Sequence, residues 1–280
     1  MSLYHYTDQN GFIGIFSNQE LWASQIQYLN DENEFNLACK LAGSYLKKLM
    51  AETGDIDLKS RLEYYLNAIP LIKHVNLCVC SLTESGDLLS QWRGYSKTLG
   101  GYSIGFNRSL LEFVIHSQGF DLVKCIYEPK AQENKISAII DSLVSDFSGE
   151  TTPDDYTERS HYDSVDVFLE ELGKIAPVLK DSSFSEEAEW RIIAKVKFEN
   201  LNFRSGKSML MPYCKIALSD GEKEKFRTLI DEVIVGHTPH PDLAVKATES
   251  FIVKNFPPLF GESYNSPIRV TKSSIPFRNW

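Results

Sequence analysis

The chain has no apolar run of membrane-spanning length, no CxxC pair, no excess of basic residues and no internal repeat. Each absence excludes something. Met1-Ser2-Leu3-Tyr4-His5 carries no basic start leading into an apolar signal core, so the sequence predicts neither a membrane anchor nor a secretory leader, and it reads as cytoplasmic. The five cysteines, Cys39, Cys78, Cys80, Cys125 and Cys214, are odd in number and mostly embedded in apolar runs. Neither they nor the six histidines cluster at zinc-ligand spacing, so buried reduced thiols are expected and no metal. With 29 Lys and Arg against 38 Asp and Glu, the formal charge of −9 excludes a broad phosphate-binding surface but leaves room for a local basic patch.

What is present is the composition of an ordinary soluble globule, 42% hydrophobic and 24% charged, with no linker that would divide residues 1–280 into two domains. Strand and helix signals alternate. Ser2–Thr7 alternates as a short strand, and an apolar helix candidate follows at 12–16. Glu20-Leu21-Trp22-Ala23-Ser24 predicts a second strand. Asn30 or Asp31 with Glu34 has the pattern of a helix cap, after which Phe35, Leu37, Ala38, Leu41 and Leu46 recur at helical spacing. Further strands are expected at 76–82, 102–106, 122–127, 189–196, 232–236 and 268–270. Helices are expected at 58–68, 88–95 (stopped by Gly94), 110–116, 136–147, 165–179, 220–230 and 242–255, and a surface loop near 148–164. The chain is thus predicted to be α+β.

The most informative stretch is Glu187-Ala188-Glu189-Trp190-Arg191. On a strand, alternation would put Glu187, Glu189 and Arg191 on one face and Ala188, Trp190 and Ile192 on the other. Two acids and a base on one face either look at water, where an ion pair contributes little, or line a polar cleft. Alternation also points His5 away from Tyr4 and Tyr6; it either bonds a ligand hydroxyl or satisfies a backbone carbonyl. Arg93 and Arg204 have the guanidinium fork that suits phosphate, although a surface or structural ion pair is the commoner role of such a residue. Trp92, Trp190 and Tyr95 either stack on a base or pack in the core.

Several blocks together carry a resemblance: Leu3-Tyr4-His5-Tyr6-Thr7, Trp22-Ala23-Ser24, Leu29-Asn30-Asp31 with Glu34, Ser81 to Glu84 with Asp87, Trp92 and Tyr95, Gly101-Tyr102-Ser103-Ile104-Gly105-Phe106, Glu187-x-Glu189-Trp190-Arg191, Val235-Gly236, and Ser274-Ile275-Pro276-Phe277-Arg278. In this order they resemble the bacterial DUF2971 family. A weaker resemblance is to the ADP-ribosyltransferase superfamily, including DNA-modifying and phage-defence members. That resemblance implies a mixed, largely antiparallel sheet core with surrounding helices, NAD as substrate, and a nucleic acid or protein as acceptor, in phage defence or as a toxin. It further implies His5, with Tyr6 beside it, at the adenosine ribose; Ser81, Tyr102 or Ser103 at the nicotinamide side; and Glu189 as the catalytic carboxylate with Glu187 assisting. Arg191 would neutralise Glu187 or, with Arg93, contact pyrophosphate.

Two other classes remain open on the residues: a non-catalytic module that binds a nucleotide or a protein, and a metal-dependent nuclease built on Asp31, Glu34, Glu84 and Asp87. Local helix capping accounts for those acids more simply.

Overall fold

The computed structural model describes residues 1–29, 32–95, 100–146, 158–206, 208–257 and 266–276, with backbone alone at 32–35, 146 and 158–163. These residues run β1 (Ser2–Thr7), α1 (Gln9–Asn18), β2 (Glu20–Gln25), α2 (Glu32–Glu52), α3 (Ile56–Ala68), β3 (Leu77–Thr83), α4 (Leu89–Tyr95), β4 (Tyr102–Asn107), α5 (Arg108–Ser117), β5 (Asp121–Lys124), α6 (Pro129–Asp146), α7 (Glu158–Ile175), β6 (Glu189–Lys195), β7 (Asn202–Ser205), β8 (Leu210–Ala217), α8 (Lys223–Leu229), β9 (Ile230–Val235), α9 (Pro241–Asn255) and β10 (Arg269–Lys272). The fold is α+β, as the alternating signals predict. No helix among the described residues is long and apolar enough to cross a membrane.

The ten strands form one branched sheet, antiparallel throughout except where β10 joins β9. The branch point is β3. One of its edges is taken along its whole length by β6, from Leu77↔Lys195 to Thr83↔Glu189. Its other edge is shared: β1 meets it at Tyr4↔Thr83, whereas β2 meets it at Ser24↔Val79 and Gln25↔Cys78. Two wings, β10-β9-β4-β1 and β2-β8-β7, therefore leave the same edge of β3, and Cys80, Ser81 and Leu82 lie between them without a ladder partner on that side. A strand edge left open must satisfy its backbone by other means.

Alternation sorts the side chains onto two faces. One face buries Leu3, Ala23, Cys80, Ile104, Ile192 and Cys214 against Phe12 and Phe16 of α1 and against apolar side chains of α5, α8 and α9. The other is covered in two patches. Leu77, Val79 and Ile193 pack under α2, α3, α6 and α7. Tyr6 and Ile234 pack with Trp92 of α4. Between the patches runs a seam of polar positions, and the site lies there.

The boundaries differ from the sequence expectation where tertiary contacts intervene. Helix α7 begins at Glu158, inside the predicted loop; residues 147–157 of that loop, like Asn30 and Asp31 of the predicted cap, lie outside the described residues. Helix α6 begins at Pro129 because Glu128 accepts from the amides of Lys130 and Ala131, and proline suits a first helical position. Strand β5 ends at Lys124 rather than 127: Cys125 still donates to the Glu189 carbonyl at 2.9 Å, but Ile126 pairs in parallel with Leu179 instead. Helix α4 runs Leu89–Tyr95, close to the expected 88–95, with Gly94 its last residue but one.

Candidate functional site

Strand β6 has Trp190, Ile192 and Ala194 in the first core and Glu189, Arg191 and Ile193 on the opposite face. Ile193 still reaches the apolar patch under the helices. Glu189 and Arg191, nearer the strand's start, fall in the seam, yet they are not solvated: only 4% and 2% of their surfaces are exposed. The solvated-face reading fails because buried partners replace water.

Glu187 corrects the expectation of three charges on one strand face. It ends a 3-10 turn, Ser182–Glu187, and Ala188 then adopts the left-handed conformation (φ 40°, ψ 50°). The Thr83 hydroxyl donates to the Glu187 carbonyl at 2.5 Å and the Ala188 amide to that of Ser185 at 3.2 Å, so the chain is pinned before it enters the sheet. The Glu187 carboxylate reaches the cluster all the same, through Lys180.

Lys180 is the residue that the sequence does not mark. Its ammonium contacts both the Glu187 and Glu189 carboxylates. Arg191 holds Glu189 from the other side, Nε to Oε1 at 2.9 Å and Nη2 to Oε2 at 3.2 Å, and its Nη1 donates to the Pro177 carbonyl at 2.8 Å. Burial pushes the Glu189 carboxyl up, but Arg191 and Lys180 outweigh it and hold the group below its ordinary value, ionised at neutral pH. Side-chain exposure is 7% for Lys180, 5% for Glu189 and 20% for Glu187, so Glu187 is the carboxylate that solvent or a ligand reaches. No local pattern signals Lys180, because parallel pairing with Ile126 (Lys180 amide to Ile126 carbonyl, 3.1 Å) is what brings it here.

Aromatic rings surround this cluster. The Tyr127 hydroxyl accepts the Glu189 amide at 2.8 Å, and burial pushes its phenol up to about 12. Tyr95, half-exposed at the end of α4, has its hydroxyl buried near the charges; burial first, then Glu189 and Glu187, push it up to about 12. The half-exposed ring of Phe184 lies 5.2 Å from the Lys180 ammonium.

The other expected ligand-binding residues divide between the two faces. Tyr6, Ser81 and Ser103 lie on the Glu189 side: Tyr6 opposite Ser103, and Ser81 opposite Arg191. The Tyr6 hydroxyl donates to the Ser85 carbonyl and accepts the Leu88 amide, both at 2.9 Å, and its ring meets Trp92 edge-on at 4.7 Å. His5 and Tyr102 point the other way. Tyr102 stacks on Phe12 at 4.2 Å, as a core residue does. The His5 Nδ1 donates to the Ser81 carbonyl at 3.0 Å, satisfying β3 where the wings part, and its Nδ1 is 3.7 Å from the Cys80 sulfur. Burial lowers the His5 pKa and keeps the ring neutral. The ordered set His5, middle residue, Glu189 is therefore not gathered on one face. Arg93 is exposed on α4.

The acids of the nuclease reading are engaged elsewhere. Glu84 Oε1 accepts from Lys124 at 2.7 Å and from the Trp190 indole at 2.9 Å. Asp87 accepts from the Trp92 indole, from the hydroxyls of Ser273 and Ser274, and from the Ser274 amide, all at 2.6–2.8 Å. Asp31 lies outside the described residues, as does the Glu34 side chain. Among the described residues no group of three or more His, Cys, Asp or Glu is placed to hold a metal ion. Two open grooves, of about 550 and 790 Å³, are lined by other residues: the first by 195–202 with Lys215, the second by 236–241 with 272–276.

Fold and site together define an α+β protein with a branched, largely antiparallel sheet and a buried ion cluster at its branch. Residues 91–192, from α4 through the cluster on β6, match the model of the family described as "Protein of unknown function (DUF2971)". No curated protein and no solved structure matches the chain.

Proposed function

We propose that the chain is a cytoplasmic, NAD-dependent ADP-ribosyltransferase-like enzyme that modifies a macromolecule, nucleic acid or protein, with a role in phage defence or as a toxin. The observation that supports it is the reachable Glu187 carboxylate, tied through Lys180 to buried, ionised Glu189 and flanked by the half-exposed rings of Tyr95 and Phe184. Breaking a nicotinamide–ribose bond develops positive charge on the ribose, and a fixed carboxylate stabilises that charge while aromatic faces hold the leaving ring. Glu187 takes the position facing the substrate. Glu189 acts through Lys180 and Arg191, which it orients, and His5 acts by fixing the branch of the sheet rather than by touching the same pocket.

A second reading, a module that binds a nucleotide without turning it over, draws on a different observation: cationic donors fill both Glu189 oxygens, and His5 and Glu189 face opposite sides of the sheet. Free nicotinamide released from NAD separates the two. Release by the wild type that is lost in Glu187→Gln, with the fold intact, supports turnover at this site; NAD binding without release supports the module.

A further inference from the structure

The β2-β8-β7 wing carries a cluster that the proposed chemistry does not use. Trp22 of β2 leaves 40% of its surface exposed and packs on Tyr213 of β8, with centroids 4.5 Å apart. The Arg204 guanidinium of β7 stands 5.9 Å from the Trp22 ring and 6.0 Å from that of Tyr213, and its Nη2 donates to the Ser24 hydroxyl at 2.7 Å. Its Nε is buried without a hydrogen-bond partner. An unsatisfied buried guanidinium N–H asks for an acceptor that the described residues do not provide. Lys215, directly opposite Trp22 in the ladder, connects this platform to the groove of about 550 Å³, which Lys195 and Lys197 also line, together with Asn200, Asn202 and Phe120.

We propose that this wing binds single-stranded nucleic acid, a base stacking on the exposed Trp22 ring and the backbone phosphates following Arg204, Lys215 and Lys197. An exposed aromatic face beside a guanidinium takes any base, and a row of lysines tracks a phosphate backbone. A duplex fits poorly, since its bases are not free to stack on Trp22. Acids temper the attraction: Glu20 bonds Lys215 and the Trp22 indole, Glu170 pairs with Lys195, and Glu199 lines the groove. Among the described residues no acid pairs with Lys197. Binding is accordingly of modest strength and strongly dependent on salt. The inference rests on the transferase reading only in making the strand the acceptor.

The test is fluorescence anisotropy of a labelled twelve-nucleotide oligo(dT) or oligo(U), about a dozen nucleotides being enough to cover one such platform, at low and at physiological salt and without NAD. Wild type binds, affinity falls with salt, Trp22→Ala weakens binding about tenfold, and Lys197→Glu lowers the salt dependence; a hairpin duplex and a free mononucleotide bind far less. Both positions are exposed, and circular dichroism confirms that the variants fold. Oligonucleotide binding that is absent at low salt, or unchanged in both variants, overturns the inference, as does preference for the duplex or for the free mononucleotide. Nicotinamide release without added acceptor, measured on the same Trp22→Ala protein, keeps the two ideas apart. Release that persists while strand binding falls supports both. Strand binding through Trp22 with no release from any of the proteins removes the transferase reading and leaves this surface standing.

Discussion

Two carboxylates, Glu189 buried in the seam and Asp87 half-buried in the turn after β3, face opposite kinds of partner. Glu189 is held by charges, a lysine and an arginine, whereas Asp87 is held by neutral donors: an indole N–H, two hydroxyls and a backbone amide. In both, burial opposes ionisation and the partners outweigh it. The difference lies in what is stranded when the acid is removed. Without Glu189, Arg191 loses two hydrogen bonds to a carboxylate and Lys180 one of its two carboxylates; without Asp87, neutral groups lose hydrogen bonds and the segment after β10 loses a tie to the start of α4. A carboxylate among cations is therefore the costlier one to delete, though the intact cluster is no great source of stability, because desolvating four charges consumes most of what their attraction returns.

The largest expected effect breaks that comparison directly. Glu189→Ala destabilises the fold by about 3–5 kcal/mol, the usual cost of removing one partner from a buried ion pair, read as the midpoint of urea unfolding. Replacing Lys180, Glu189 and Arg191 together by Met, Leu and Met recovers most of that loss. A triple variant as unstable as Glu189→Ala would show that the cluster stabilises by itself.

Next comes Asp87→Asn, expected to cost roughly 1–3 kcal/mol, since the amide keeps one acceptor oxygen and loses the rest. Its distinctive readout is protease cutting in the segment after β10 at conditions where the wild type resists. Equal losses for Asp87→Asn and Glu189→Ala would erase the distinction between charged and neutral partners.

Acid titration sharpens it further. The folded pKa of Glu189 is depressed, so its contribution is present above 4.5 and is lost as pH falls below it. The folded pKa of His5 is also depressed; the neutral ring's contribution is complete above 6.5 and is lost as pH falls below that value. Stability of the wild type should decline in two steps on acidification, the milder-pH step disappearing in His5→Gln. A single step unaffected by that substitution would show that His5 does not fix the branch. The smallest effect is at Ala188, whose left-handed backbone is strained for an alanine: Ala188→Gly raises stability by up to about 1 kcal/mol, seen as a small rise in melting temperature.

Much of the fold was legible because it follows from local periodicity. β1, β2, β3, β4 and β9 were expected within a residue or two, and the alternation that sets His5 against Tyr4 and Tyr6 is the one observed. Partners were not legible. The parallel pairing of Ile126 with Leu179 shortens β5 and delivers Lys180, and nothing near Lys180 in the chain announces it. The left-handed turn at Ala188 takes Glu187 off the strand, and alanine, unlike glycine or asparagine, gives no signal of such a turn. Alternation placed Glu189 and Arg191 together, but it could not say that Lys180, the Pro177 carbonyl and Tyr127 would meet them there, nor that the sheet branches and leaves His5 to satisfy Ser81.

The central claim is that the Glu187 carboxylate, displayed by the buried cluster, turns over NAD. Glu187→Gln tests it with the least disturbance, because Glu189 still balances Lys180 and the side chain is partly exposed. Free nicotinamide is followed for the wild type and Glu187→Gln at matched melting temperatures, with nucleic acid or cell lysate as acceptor. The account predicts release by the wild type and its loss in the variant; equal release from both proteins, or none from either, would contradict it.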